Sequence, residues 1–281
     1  MAYKNILVHL NNEGRVARLI GAAMQLALPD NSHLTGLFVV PAAPARSPLL
    51  SILSGGAMQK AFEAYRETGR GIRKAFEDAT ARQPVVAEWR LHETAQPSYV
   101  DAALEKARAA DLVIAAQKEN DWDYADMFDV PGWLAMESGR PVLVIPGAGG
   151  LAPIGKRVLV AWNNSRESTR AVFDALPILK RANEVTVLVV EETGKPETMS
   201  GHASDEICAT MVRHGVKCTT EQVKPIGAVE PGVELLAQTA AHKCDLLVMG
   251  CYGHSRFREF VLGGASRYVL QHTSVPVLMA N

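Results

Sequence analysis

The stretch that decides the fold is Asp245-Leu-Leu-Val-Met-Gly-Cys-Tyr-Gly253, followed after nine residues by Gly263-Gly264-Ala265-Ser266 and then Arg267-Tyr-Val-Leu-Gln271. An apolar run leads into a glycine loop, and the loop leads into a helical stretch. That order builds a phosphate cradle. Glycines let backbone N–H groups approach phosphate oxygens, and a helix N-terminus adds unpaired donors and a favourable dipole. Glycine after a buried strand can also do no more than turn the chain. The nine-residue spacing and the second glycine pair ahead of a helix favour the cradle.

Working outward, the chain repeats itself. Lys4-Asn-Ile-Leu-Val-His-Leu-Asn-Asn12 matches Lys156-Arg-Val-Leu-Val-Ala-Trp-Asn-Asn164. Ala107-Arg-Ala-Ala-Asp-Leu-Val-Ile-Ala115 matches Ala241-His-Lys-Cys-Asp-Leu-Leu-Val-Met249, and Ser138-Gly-Arg-Pro-Val-Leu-Val-Ile145 matches Thr273-Ser-Val-Pro-Val-Leu-Met279. Three landmarks in one order indicate a duplication, joined through the Gly/Pro-rich stretch 147–155. The expected domains are residues 1–147 and 155–281.

Each half reads as alternating strands and helices. Strands are expected near 4–9, 34–40, 85–91, 111–116 and 141–145, and again near 157–161, 184–190, 217–223, 244–249 and 275–279. Helices are expected near 57–82, 166–179, 203–214, 230–242 and 264–272. The expected fold class is α/β: two tandem doubly wound domains, each with a parallel sheet and helices on both faces. Ligands in such sheets bind beyond the C-terminal strand ends, where strand order reverses. The segment 41–56 reads as a surface connection, with a flap over a pocket as the alternative.

The spacing Gly250-x2-Gly253-x9-Gly263 resembles the nucleotide-binding signature of the universal stress protein family. So does the surrounding text GCYGHSRFREFVLGGASRYVLQHTSVPVLMAN, residues 250–281. The resemblance covers nearly the whole chain as two tandem domains and implies a five-stranded sheet in each. It implies an adenine nucleotide, ATP or AMP, with or without Mg, as the cofactor and partner of the second domain. The candidate binding residues are Asn163, Val190, Gly250, Gly253, Gly263, Gly264 and Ser266. Gly264 stands where the family usually has Ser or Thr, and Asn163 where it usually has Asp. Asn163 would lie against the nucleoside, with a helix N-cap or turn residue as the alternative. Val190 matches the position whose backbone meets the adenine edge. Ser266 bonds a terminal phosphate or caps the helix. Arg256 and Arg258 could neutralise phosphate charge or form a solvated loop face.

The first half lacks the glycine pattern. After Ala116 it carries Glu119, Asp121, Asp123, Asp126 and Asp129, and carboxylates repel phosphate. The expectation is one nucleotide per chain. The resemblance also implies pairing of the two domains through their final strands, Val142–Ile145 and Val275–Met279, about a pseudo-two-fold axis. Further association into a homodimer is not readable from the sequence.

Bulk properties fit this reading. The chain has 281 residues, enough for two domains, and 48% hydrophobic residues. Its net charge of −1 lacks the basic excess of a general nucleic-acid binder. The absence of a long apolar run or signal-peptide pattern points to a cytoplasmic protein away from the membrane. Cys208, Cys218, Cys244 and Cys251 show no CxxC spacing, so a reducing compartment fits. Cys208, His214 and Cys218 could suggest a metal site, but Cys208 in a helix and Cys218 in a strand read as small buried thiols. His9 and His92 read as structural. No catalytic constellation is recognisable, so the chain is at most a weak ATPase. The competing classes are a non-nucleotide interaction module of the same fold and a slow nucleotide hydrolase.

Overall fold

The computed structural model describes residues 2–40, 57–93, 99–118, 130–147, 152–191, 200–224, 229–251 and 264–281. The strands of the first half are β1 (Asn5–His9), β2 (His33–Val40), β3 (Val86–Glu93), β4 (Leu112–Ala116) and β5 (Val142–Ile145). Its helices are α1 (Glu13–Ala27), α2 (Ala57–Thr80), α3 (Tyr99–Ala107) and α4 (Pro131–Glu137). The second half repeats the order with β6 (Arg157–Ala161), α5 (Arg166–Leu179), β7 (Glu184–Val190), α6 (Ser200–Arg213) and β8 (Cys218–Val223). It continues with α7 (Pro231–Ala241), β9 (Leu246–Gly250), α8 (Gly264–His272) and β10 (Val277–Ala280).

All ten strands form one sheet in the order β3-β2-β1-β4-β5-β10-β9-β6-β7-β8. Within each half every pairing is parallel. The central strands are Val, Ile and Leu runs buried along most of their length, as a sheet covered on both faces requires. Right-handed crossovers place the first two helices of each half on one face and the last two on the other. The contacts agree: α1 packs on α2, α3 on α4, and α7 on α8.

The halves meet at β5 and β10, which run antiparallel with Val144 opposite Val277, Leu143 opposite Leu278 and Val142 opposite Met279. All six residues are fully buried. Outside the sheet, the Tyr3 hydroxyl donates to the Asp174 carbonyl at 2.6 Å, and Arg181 pairs with Asp30. Because the seam is antiparallel and all else is parallel, the C-terminal edges of the two half-sheets point in opposite directions.

One device recurs in both halves. The Asp111 carboxylate accepts from the backbone N–H groups of Lys4 and Asn5 at 2.8 and 2.9 Å, fixing the start of β1. Asp245 does the same for β6. It accepts from Gly155 at 2.7 Å, from Lys156 at 2.9 Å and from Arg157 at 3.1 Å. Charge-assisted bonds of this kind explain why the repeated Ala/Cys-Asp-Leu motif contains an acid.

Candidate functional site

In the second half, strand order reverses between β6 and β9, which are register neighbours with Ala161 opposite Met249. The chain leaves β6 through Trp162, whose N–H donates to the Leu188 carbonyl at 2.9 Å. Asn163 and Asn164 follow, both exposed, and Asn164 turns the chain with φ +56°. Asn tolerates this left-handed conformation better than most side chains. Asn163 Oδ1 accepts from the Ser165 N–H at 3.3 Å, so it acts as the turn residue. The N-cap of α5 is Ser165, not Asn163.

Ser165 and Ser168 form a reciprocal capping box. Ser165 Oγ accepts from the Ser168 N–H and Ser168 Oγ from the Ser165 N–H, each at 3.1 Å. The first turn of α5 also carries Glu167, which pairs with Arg166 at 3.4 Å. The N-terminus of α5 therefore supplies its own anion and partners.

Val190 ends β7. The ladder from β7 to β6 stops at Leu188, while the ladder to β8 runs on to Val190. On its β6 side, the Val190 backbone thus extends beyond the paired strand. Gly250 ends β9, where a Cβ would stand 2.5 Å from the Ser168 backbone N and 2.6 Å from the Glu167 carbonyl carbon. Only glycine permits this approach of strand to helix, which gives Gly250 a packing reason to be glycine.

Gly264 opens α8, and a Cβ there would meet nothing within 4 Å among the described residues. The first turn of α8 holds no acidic residue. Ser266, the third residue of α8, is buried. Standing inside the helix, it is not the N-cap of α8. Gly253 and Gly263, with Arg256 and Arg258 between them, lie outside the described residues. Asn163, Val190 and Gly250 thus share the C-terminal edge of one sheet, the edge at which α8 begins with no acidic residue in its first turn. Those features fit a phosphate-bearing nucleotide: strand-end backbone for a base, and helix N–H groups for phosphate.

The first half differs at the corresponding edge. Ala161 is replaced by His9, which is buried and has Nε2 2.7 Å from the Tyr99 hydroxyl. The Tyr65 hydroxyl lies 3.4 Å from that of Tyr99, and both tyrosines are buried. Burial pushes the His9 imidazole down to about 4 and holds both phenols above their ordinary range. Three polar rings from β1, α2 and α3 fill this edge. Glu119 and the other carboxylates up to Asp129 lie outside the described residues, as does the whole of 41–56. The ring of His214 packs edge-on against Phe173, 6.2 Å between centroids. Burial beside Cys208 pushes the Cys218 thiol up, which suits an inert structural thiol.

Among the described residues, no helix is long and apolar enough to cross a membrane. The model of the Universal stress protein family matches residues 155–281. A universal stress protein of Synechocystis is 56% identical over 34 residues, which are 12% of this chain and 12% of that protein. Among solved structures, a universal stress protein from Archaeoglobus fulgidus is similar with a TM-score of 0.65 and 18% identity, over 99% of this chain and 96% of that one. A functionally unknown protein from Pseudomonas aeruginosa is similar with a TM-score of 0.60 and 16% identity, over 99% and 92% of the two chains. At such identities these likenesses establish the shared α/β fold over the full length. The half that contains Asn163, Gly250 and α8, residues 155–281, is the part of the chain that matches the universal stress protein family.

Proposed function

We propose that the chain is a tandem universal stress protein with domains 1–147 and 155–281, acting in a cytoplasmic stress response. Its second domain binds one adenine nucleotide, ATP or AMP. The observation that carries this reading is the placement of Asn163, just past β6, and Gly250, at the end of β9, on the two sides of the β6–β9 switch point, with the start of α8 at Gly264 following the glycine segment. The base would meet the Val190 backbone and the nucleoside Asn163. The phosphates would meet the N–H groups of the glycine segment, residues Gly253, Gly263 and Gly264, with Ser266 behind them. The capped start of α5 leaves α8 as the end suited to anion binding.

The first domain would act as a structural partner. His9, Tyr65 and Tyr99 are buried together at its sheet edge, and its sequence adds carboxylates after Ala116. Bound nucleotide would bias conformation or partner choice through differential affinity for two states. The proposal includes no hydrolytic step.

One observation favours the second reading, an interaction module that binds no nucleotide. The glycine at 250 is accounted for by the α5 backbone without any ligand. Mass spectrometry of small molecules released from the purified chain separates the two. Stoichiometric ATP or AMP supports the first reading. A chain that carries none and takes up none on titration favours the second. Gly253→Val places a branched side chain in the phosphate loop, and it should abolish uptake without unfolding the protein.

A further inference from the structure

Helix α8 belongs to the second half, but its C-terminus is held by the first. Gln117 follows β4 directly. Its Nε2 donates to the Leu270 carbonyl at 2.9 Å and to the Thr273 carbonyl at 3.3 Å. Its Oε1 accepts from the Gly147 N–H at 3.2 Å, and its own N–H donates to the Ile145 carbonyl at 2.8 Å. The side chain is thus fixed between the ends of β4 and β5 and clamps the chain as it leaves α8. An amide suits this place because it donates and accepts at once.

The clamp has a mirror partner. Asn281 Nδ2 donates to the Met136 carbonyl near the C-terminus of α4, at 3.2 Å, while Asn281 Oδ1 accepts from Arg166 at 3.1 Å. Each half therefore caps the last helix of the other from its own sheet edge.

For α8 the consequence is geometric. Nine residues span roughly 14 Å, and a helix this short is marginal without external partners. Its first turn and middle pack on α7, where a Cβ on Gly232 would stand 2.9 Å from Tyr268 Cβ and 3.0 Å from the Ala265 carbonyl oxygen. Its lower end is fixed by Gln117. Its upper end, Gly264, is the candidate phosphate end.

We infer that Gln117 is a positioning residue for the nucleotide site of the other half: by clamping the C-terminus of α8 it fixes where the N-terminus of α8 meets the crevice. This rests on the nucleotide-binding reading above. It assigns the first half a part in binding that requires no ligand of its own.

The test is calorimetric titration of the full chain with ATP, comparing wild type, Gln117→Met and Gln117→Lys. Met keeps the length and removes every side-chain hydrogen bond. Lys restores a donor toward the two carbonyls. Gln117→Met should weaken ATP binding about three- to tenfold, the worth of one or two hydrogen bonds, with unchanged circular dichroism. Gln117→Lys should recover most of the loss, which a purely structural role would not produce. If Gln117→Met does not fold, Gln117→Glu against Gln117→Lys replaces it, because a carboxylate would face the carbonyl oxygens and should bind ATP more weakly. Wild-type binding with equal affinity in all variants overturns this inference alone. A wild-type chain that takes up no nucleotide overturns the underlying reading, and the inference with it.

Discussion

His9 Nε2 lies 2.7 Å from the Tyr99 hydroxyl, joining the end of β1 to the first residue of α3 in the buried edge of the first half. His9 holds the place that the small, half-buried Ala161 holds in the second half. It makes the two repeats unequal at the ends of β1 and β6.

The same contact predicts a pH dependence. Burial lowers the folded-state pKa of His9 from 6.5 to about 4, so the ring stays neutral while the unfolded chain takes up a proton below pH 6.5. The neutral ring's contribution is fully present above about pH 6.5 and is lost as pH falls toward 4. The loss is about 3 kcal/mol, at 1.36 kcal/mol per pKa unit. Urea unfolding of wild type and His9→Gln between pH 7 and 4 should show the wild type losing more. Parallel curves would contradict the assignment.

Gly250 and Gly264 should respond oppositely to alanine. Gly250→Ala drives a methyl group into the Glu167–Ser168 backbone, which cannot rotate away, and should cost about 1–3 kcal/mol. Gly264→Ala meets no atom of the described residues within 4 Å and should change stability by less than about 0.5 kcal/mol. Denaturant midpoints measure both. A neutral Gly250→Ala would remove the packing explanation for that glycine.

Asp245→Ala leaves three consecutive backbone N–H groups at the start of β6 without their acceptor. The expected cost is about 2–3 kcal/mol, as for hydrogen bonds to a charged group. Asp111→Ala, which frees two such donors, should cost somewhat less. Thermal melts of the two variants test the order.

Much of the fold was legible because parallel strands buried on both faces read as unbroken apolar runs. The expected spans 157–161, 184–190 and 264–272 coincide with β6, β7 and α8. The last strand begins at Val277 rather than at 275, because Pro276 has no N–H to donate to a ladder. Asn163, Val190 and Gly250 were expected at one sheet edge, and they share it. Long-range side-chain contacts were not legible. Gln117 and Leu270 stand 153 residues apart, and His9 and Tyr99 stand 90 apart. No local pattern announces either pair. The α5 cap was hidden because Ser168 holds the place where a capping box usually shows Glu or Gln.

The central claim is a single nucleotide site in the second half of an unequal tandem pair. Equilibrium titration of the full chain with ATP, beside Gly253→Val, tests it most directly. The account predicts one ATP per chain in the wild type and none in the variant, with the variant still folded. No uptake by the wild type, two equivalent sites, or full binding by Gly253→Val would contradict it.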